Sequence, residues 1–210
     1  MIRAILAFIM LAGVARADGE PAGDFDYYVM ALSWTPSWCA IEGDDRDSPQ
    51  CDPGQGFGFT LHGLWPQYED GWPAFCPTVE RNPSRGMTNG MADIMGTSGL
   101  AWYQWNKHGV CSGLSASDYY ALSRLAYESV ERPALLRHLN REGRLPAEVI
   151  EDAFLEANPQ LTDDMLTVTC RAGRVQEVRI CLTRELEPRA CAPDVARDCT
   201  LTDALFSPMR

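Results

Sequence analysis

Residues 25–34 read Phe-Asp-Tyr-Tyr-Val-Met-Ala-Leu-Ser-Trp, an aromatic and β-prone run that predicts a strand. A second strand is expected over 57–62, ending at His62. Between them the acidic positions 42–47 and Pro49 read as a loop that Cys39 and Cys51 can close. Over 66–99 the periodicity lapses, and the Pro, Gly and Asn content predicts a long irregular surface. Helical spacing then takes over. A short helix is expected over 100–108 with Gly109 as its stop, and a longer one over 117–131. In the longer helix Tyr120, Leu122, Leu125 and Ala126 supply the apolar face, and Pro133 ends it. A third covers 147–157, entered at Pro146 and closed by Asn158-Pro159.

The period changes to two beyond this point. Leu166, Val168 and Cys170 alternate with polar residues, as do Val178, Ile180 and Leu182, around a turn at Ala172-Gly173. That hairpin sets Cys170 opposite roughly residue 176, from the pairing geometry of a two-residue turn. Cys170 and Cys181 are therefore poor partners, and each looks towards Cys191 or Cys199. Strands and helices segregate instead of alternating as βαβ units. The fold class is α+β, a central antiparallel sheet flanked by helices in one disulfide-bonded domain.

Composition narrows the class. Arg3, the apolar run from Ile5 to Leu11, and Ala15-Arg16-Ala17 lay out a secretory signal peptide over 1–17, with a domain over 18–210. The apolar run is too short to span a bilayer, so no membrane association is expected after its removal. Residues 18–24 read as a loose start to the domain. All eight cysteines lie beyond residue 17, and an even count in an oxidising compartment implies four disulfides and a secreted or periplasmic site. The net charge is −11, and losing Arg3 and Arg16 makes it more negative still. That argues against tight sequence-independent nucleic-acid binding, which needs a basic face. It fits an enzyme that releases a polyanion quickly, or one that works where pH is low.

Only three histidines are present. His138, in Leu135-Leu136-Arg137-His138-Leu139, has no chemical helpers nearby and reads as structural or solvent-facing. The other two are better furnished. His62 stands in Phe-Thr-Leu-His-Gly-Leu-Trp-Pro-Gln (59–67), with Trp65, Tyr68 and Trp72 following as faces on which bases can stack. His108 stands in Trp-Asn-Lys-His-Gly-Val-Cys (105–111). Gln104 and His108 are four apart, as are Tyr103 and Lys107, so one helix face offers an imidazole, a cation and two neutral hydrogen-bonding groups. Such a face suits a phosphate. Taken singly, each cluster also reads as a wet helix face or as ordinary aromatic packing.

The two segments 59–67 and 105–111 resemble the signature segments of the ribonuclease T2 family of secreted acid ribonucleases, a bacterial-type member here. The resemblance extends to 28–39 and 154–182 and covers nearly the whole expected domain. It implies cleavage of single-stranded RNA by transphosphorylation: the 2′-hydroxyl attacks the adjacent phosphate and leaves a 2′,3′-cyclic end. Such chemistry needs a base, an acid and positive charge at the phosphorane. The match assigns His108 as base, His62 as acid and Lys107 as the stabilising cation, with Gln104 beside them and no metal or other cofactor. Base contacts are implied for Trp65 and Gln67, with Tyr68 or Trp72 nearby and Tyr103 on the phosphate side. The pairs Cys39–Cys51, Cys76–Cys111, Cys170–Cys199 and Cys181–Cys191 are also implied. RNA is the expected partner of a monomer, and DNA is not cleaved because it lacks the nucleophile.

The family's second segment reads His-Glu-Trp before the Lys-His pair, whereas this chain has Tyr103-Gln104-Trp105. Loss of the carboxylate removes a charge that favours protonated His108, so a lower His108 pKa is expected than in relatives that keep it. The alternative function is a catalytically weak homologue that binds RNA or a protein. A metal site of His62, His108 and cysteines is disfavoured, because cysteines in a secreted chain pair with one another.

Overall fold

The computed structural model describes residues 20–210 apart from residue 139. The signal-peptide segment, 1–17, lies outside the described residues. Six strands form one sheet: β1 (Tyr27–Trp34), β2 (Phe59–Gln67), β3 (Gly143–Leu145), β4 (Leu166–Arg171), β5 (Arg174–Leu182) and β6 (Ala204–Phe206). Their order is β2-β1-β5-β6-β3, with β4 also paired to β5. All pairings are antiparallel except the single parallel contact of β5 with β6. The α-helices are α1 (Thr35–Trp38), α2 (Arg85–Asn89), α3 (Ala92–Met95), α4 (Ser98–Lys107), α5 (Ala116–Glu128), α6 (Ala134–Arg137) and α7 (Glu148–Ala157). The chain is α+β. No helix among the described residues is long and apolar enough to cross a membrane.

The sheet separates two apolar regions. From β1, Tyr28, Met30, Leu32 and Trp34 enter the large core, where Phe59, Leu61, Leu64, Trp105, Ile150 and Phe154 meet them. Tyr27 and Val29 point the other way, into a small cluster with Cys181, Ala192 and Val195. The side chain of Thr97 caps α4 by accepting from the Leu100 N–H at 3.1 Å, and Ser115 does the same for α5 from Asp118 at 3.2 Å. Two buried tyrosines tie these helices down: the Tyr119 hydroxyl donates to the Leu64 carbonyl and Tyr120 to that of Ala101, each at 2.9 Å.

Several expectations need correcting. The second strand does not stop at His62 but continues to Gln67, because a β-bulge absorbs His62: Leu32 pairs with Leu61 and Ala31 with Gly63. Within 42–47 all but Asp47 is helical, in a π turn at Cys39–Gly43 followed by a 3-10 turn at Asp44–Arg46 that Asp47 ends in a left-handed conformation. The interval 66–99 holds the end of β2, α2, α3 and the start of α4, so it is not uniformly irregular. Helix α5 ends at Glu128, well before Pro133, and Leu125 is exposed; its buried stripe is Ala116, Tyr119, Tyr120, Ser123 and Ala126. Cys170 faces Val175 and not residue 176, because the register slips between Thr169 and Cys170. Strands β3 and β6, three residues each, carry too short a pattern to be read in advance.

The sulfurs pair as Cys39–Cys51, Cys76–Cys111, Cys170–Cys199 and Cys181–Cys191, the pairs that the resemblance implies.

Candidate active site

The bulge at His62 decides which side chains share a face. Strict alternation along β2 would put His62 and Trp65 on opposite sides of the sheet. The extra residue resets the alternation, so Thr60, His62, Trp65 and Gln67 line cavities while Leu61 and Leu64 stay in the core. Across β1, the register places Glu177 beside Ser33 and Arg179 beside Ala31, again on the cavity side.

Helix α4 closes the cavity from the edge strand. The N–H of His108 donates to the Gln104 carbonyl at 2.9 Å, and His108 caps the helix with φ −118° and ψ −44°, just outside its regular turns. The next turn, at Gly109–Cys111, is held by the disulfide to Cys76. The Phe75 N–H donates to the Lys107 carbonyl at 2.8 Å, so the loop after β2 grips the segment that carries Lys107 and His108.

His62, Trp65, Gln67, Trp72, Tyr103, Gln104, Lys107 and His108 all line one cavity of about 340 Å³. Both rings meet the same indole. His62 stands edge-on to Trp65 and His108 is stacked on it, each at 5.2 Å between centroids. A neighbouring cavity of about 610 Å³ shares His62 and Tyr103 as part of its wall. Tyr68 does not line the cavity and packs against the large core, so of the two candidate aromatics only Trp72 faces the site. His138 is exposed and does not line the cavity.

Gln104 sits differently from its expected role. It is buried, and its side-chain oxygen accepts the Trp65 indole N–H at 2.7 Å. That oxygen braces the aromatic wall. Gly63 makes the contact possible, because a side chain there would occupy the space of the Gln104 oxygen and the indole nitrogen.

Electrostatics separates the two histidines. His108 is 4% exposed, and its Nδ1 has no hydrogen-bond partner among the described residues. Burial, reinforced by the charges of Lys107 and His62, holds its pKa down at about 3, so the ring is neutral at ordinary pH. His62 instead meets a carboxylate, its Nδ1 lying 2.5 Å from Glu177 Oε1. Glu177 is 1% exposed and also accepts from Arg179, which lines the cavity. Burial pushes the Glu177 carboxyl up, but the hydrogen bond and charge of His62, together with Arg179, outweigh it and bring the pKa to about 2.

Sequence reasoning missed both Glu177 and Arg179. They sit on the polar side of the expected hairpin, a side that is ordinarily solvated. The available signal was an opposite-charge pair two apart on a strand, which places both on one face.

The ribonuclease T2 family model matches residues 25–191. A ribonuclease of Aeromonas hydrophila is 43% identical over 125 residues, which cover 60% of this chain and 55% of that one. A probable ribonuclease of Haemophilus influenzae is 29% identical over 178 residues, covering 79% and 61%. The chain thus spans little more than half the length of these two relatives. Among solved structures, that of RNase NT in complex with 5′-AMP superposes with a TM-score of 0.65 at 20% identity, covering 89% of this chain and 100% of that one. The match over residues 25–191, found on a chain with this sheet and these disulfides, makes the protein a member of the ribonuclease T2 family.

Proposed function

We propose that the protein is an endoribonuclease that cleaves single-stranded RNA by transphosphorylation, without a metal ion, leaving 2′,3′-cyclic phosphate ends. One observation carries the reading: two imidazoles, one buried and neutral, meet on a single indole in a cavity that also holds Lys107. Family membership supports it, as does the nucleotide bound by RNase NT.

The roles are those that the resemblance implies, and the lowered pKa of His108 supports its part. His108, neutral, takes the proton of the 2′-hydroxyl as that oxygen bonds to phosphorus. His62 gives a proton to the 5′-oxygen as the P–O bond breaks. Lys107 faces the charge that builds on the phosphorane. Trp65, Gln67 and Trp72 form the wall for a base, and the cavity across His62 offers room for the next nucleoside. Transphosphorylation requires the 2′-hydroxyl, so DNA is not a substrate. A monomer acting outside the cytoplasm suits a chain held by four disulfides.

The test is incubation with RNA in excess chelator from about pH 4 to pH 8, the range over which imidazoles change charge. Cyclic ends are expected, and their absence at every pH overturns the enzyme reading. Cleavage that persists in His108→Ala overturns the site. The second reading, a weak homologue that binds RNA or protein, is favoured by the commitment of the Gln104 oxygen to Trp65. The same assay separates the two.

A further inference from the structure

Two charged side chains, Arg179 in the wall of the reaction cavity and Glu177 in that of its neighbour, have no task in the reaction above. Glu177 and Arg179 share one face of β5, and the carboxylate of Glu177 is divided among three partners. Its Oε1 accepts from His62 Nδ1 at 2.5 Å and from the Ser33 hydroxyl at 3.2 Å. Its Oε2 accepts both Nε at 3.0 Å and Nη2 at 2.9 Å from Arg179. An ionised carboxylate is costly to bury unless its charge is matched. Here both matching groups, His62 and Arg179, line the reaction cavity.

Helix α4 carries a tyrosine and a glutamine at 103 and 104, where the family's pattern has a histidine and a glutamate. We propose that β5 supplies what α4 lacks: Arg179 binds the transferred phosphate, and Glu177 is the positioning residue that fixes both Arg179 and the His62 ring. This rests on the phosphoryl-transfer reading.

Geometry supports the division of labour. Arg179 spends Nε and Nη2 on Glu177, which leaves Nη1 to donate to a phosphate oxygen. Its guanidinium carbon stands 5.4 Å from the centre of the Trp65 ring, on the same indole that both histidines meet. The bond from His62 Nδ1 to Glu177 leaves Nε2 as the nitrogen that serves the leaving oxygen. Neither Glu177 nor Arg179 gains or loses a proton in the cycle. A purely structural role is the competing account, since Ser33, His62 and Glu177 tie β1, β2 and β5 together.

The experiment uses the full chain with its disulfides intact and inorganic phosphate as the probe. Calorimetry measures phosphate binding to wild type, Arg179→Ala, Arg179→Lys and Glu177→Gln, and steady-state kinetics on RNA runs beside it. Arg179→Ala is expected to weaken phosphate binding by about tenfold, as loss of a charge-assisted hydrogen bond does. It should lower kcat by roughly a hundredfold, the scale for removing one donor to a developing oxyanion. Arg179→Lys should recover part of both. Glu177→Gln should lower kcat with little change in KM and shift the His62 Nδ1–H proton resonance upfield.

Unchanged phosphate binding and kcat in Arg179→Ala, with only the melting temperature lowered, would overturn the inference and leave the pair as a sheet lock. Wild type that binds phosphate but cuts no RNA overturns the functional reading alone. If Glu177→Gln fails to fold, the two Arg179 variants decide the matter.

Discussion

In the unfolded chain the His108 imidazole takes a proton near its ordinary value of 6.5, whereas in the folded chain it resists until about 3. Burial is the main cause, and the positive charges of Lys107 and His62 add to it. Between those values the unfolded state binds a proton that the native state does not. His108 therefore costs the fold nothing above 6.5 and destabilises it increasingly as pH falls from 6.5 to about 3. Integrating over the drop from about pH 7 to about pH 5 gives a loss of about 2 kcal/mol. The perturbation is His108→Gln, which removes the titrating group and keeps a polar side chain. Urea unfolding at the two pH values, with disulfides intact and equal slopes, measures the difference. Wild type should lose about 2 kcal/mol more than the variant over this interval. Glu151, pushed up to about 7 by burial and then by Asp198, Asp163, Asp152 and Glu148, acts with the opposite sign in the same window. It is common to both proteins and cancels. Glu177 contributes stability that is complete above 4.5 and is lost as pH falls through about 2, so it lies largely below the window. Equal losses in wild type and variant would refute the claim that the folded site excludes the proton from His108.

Gln104→Glu restores a carboxylate one helical turn before His108 and should raise the pKa of that ring; no upward shift in an NMR titration refutes the account. Gly63→Ala should separate Trp65 from Gln104 and cut kcat/KM, with the indole N–H resonance moving towards its solvated position. Replacing Cys76 and Cys111 by alanine opens a loop of 35 residues and should cost about 4 kcal/mol in the unfolding free energy. With about two cations on the phosphate groups, log KM should rise with log salt at a slope near 1.4, and a slope several times steeper would reveal a wider basic footprint.

The long elements were legible because their patterns outlast local noise. Helix α7 and the β4–β5 hairpin repeat their period over enough residues to fix type and position, and the positive φ of Ala172 and Gly173 is the turn that their residue types predict. Helices α2 and α3 were not legible. They have five and four residues, about one turn each, and Gly86, Gly90 and Gly96 around them read as breakers. His62 and His108 stood out as rare residues among helpers, but the arrangement that joins them did not. The bulge that turns His62 and Trp65 to one side depends on pairing with β1, which is a tertiary fact. Glu177 was hidden for a related reason. From Glu177 to Leu182 its strand alternates, so its polar side reads as solvent-facing, and only the packing of β2 and the Ser33 position of β1 against it makes that side an interior.

The acidic balance of the chain counted against nucleic-acid binding, yet net charge is the wrong scale for this site. Arg46, Arg124, Arg144, Arg171, Arg174, Arg189 and Arg210 are each paired to a carboxylate at the surface, so they make no basic field for RNA to follow. The cavity draws on other charges. Lys107 is free of any ion pair among the described residues, and the partner of Arg179 is a carboxylate already shared with His62. Lys107 and Arg179 are the fixed cations of that wall, with Asp194 as its carboxylate. On the proposed function these two cations attract the phosphate at the reacting group, while the acidic balance of the chain opposes tight binding of the rest of the polyanion. For the proposed function, a site that engages the scissile linkage more than the strand is the arrangement that lets cleaved RNA leave quickly.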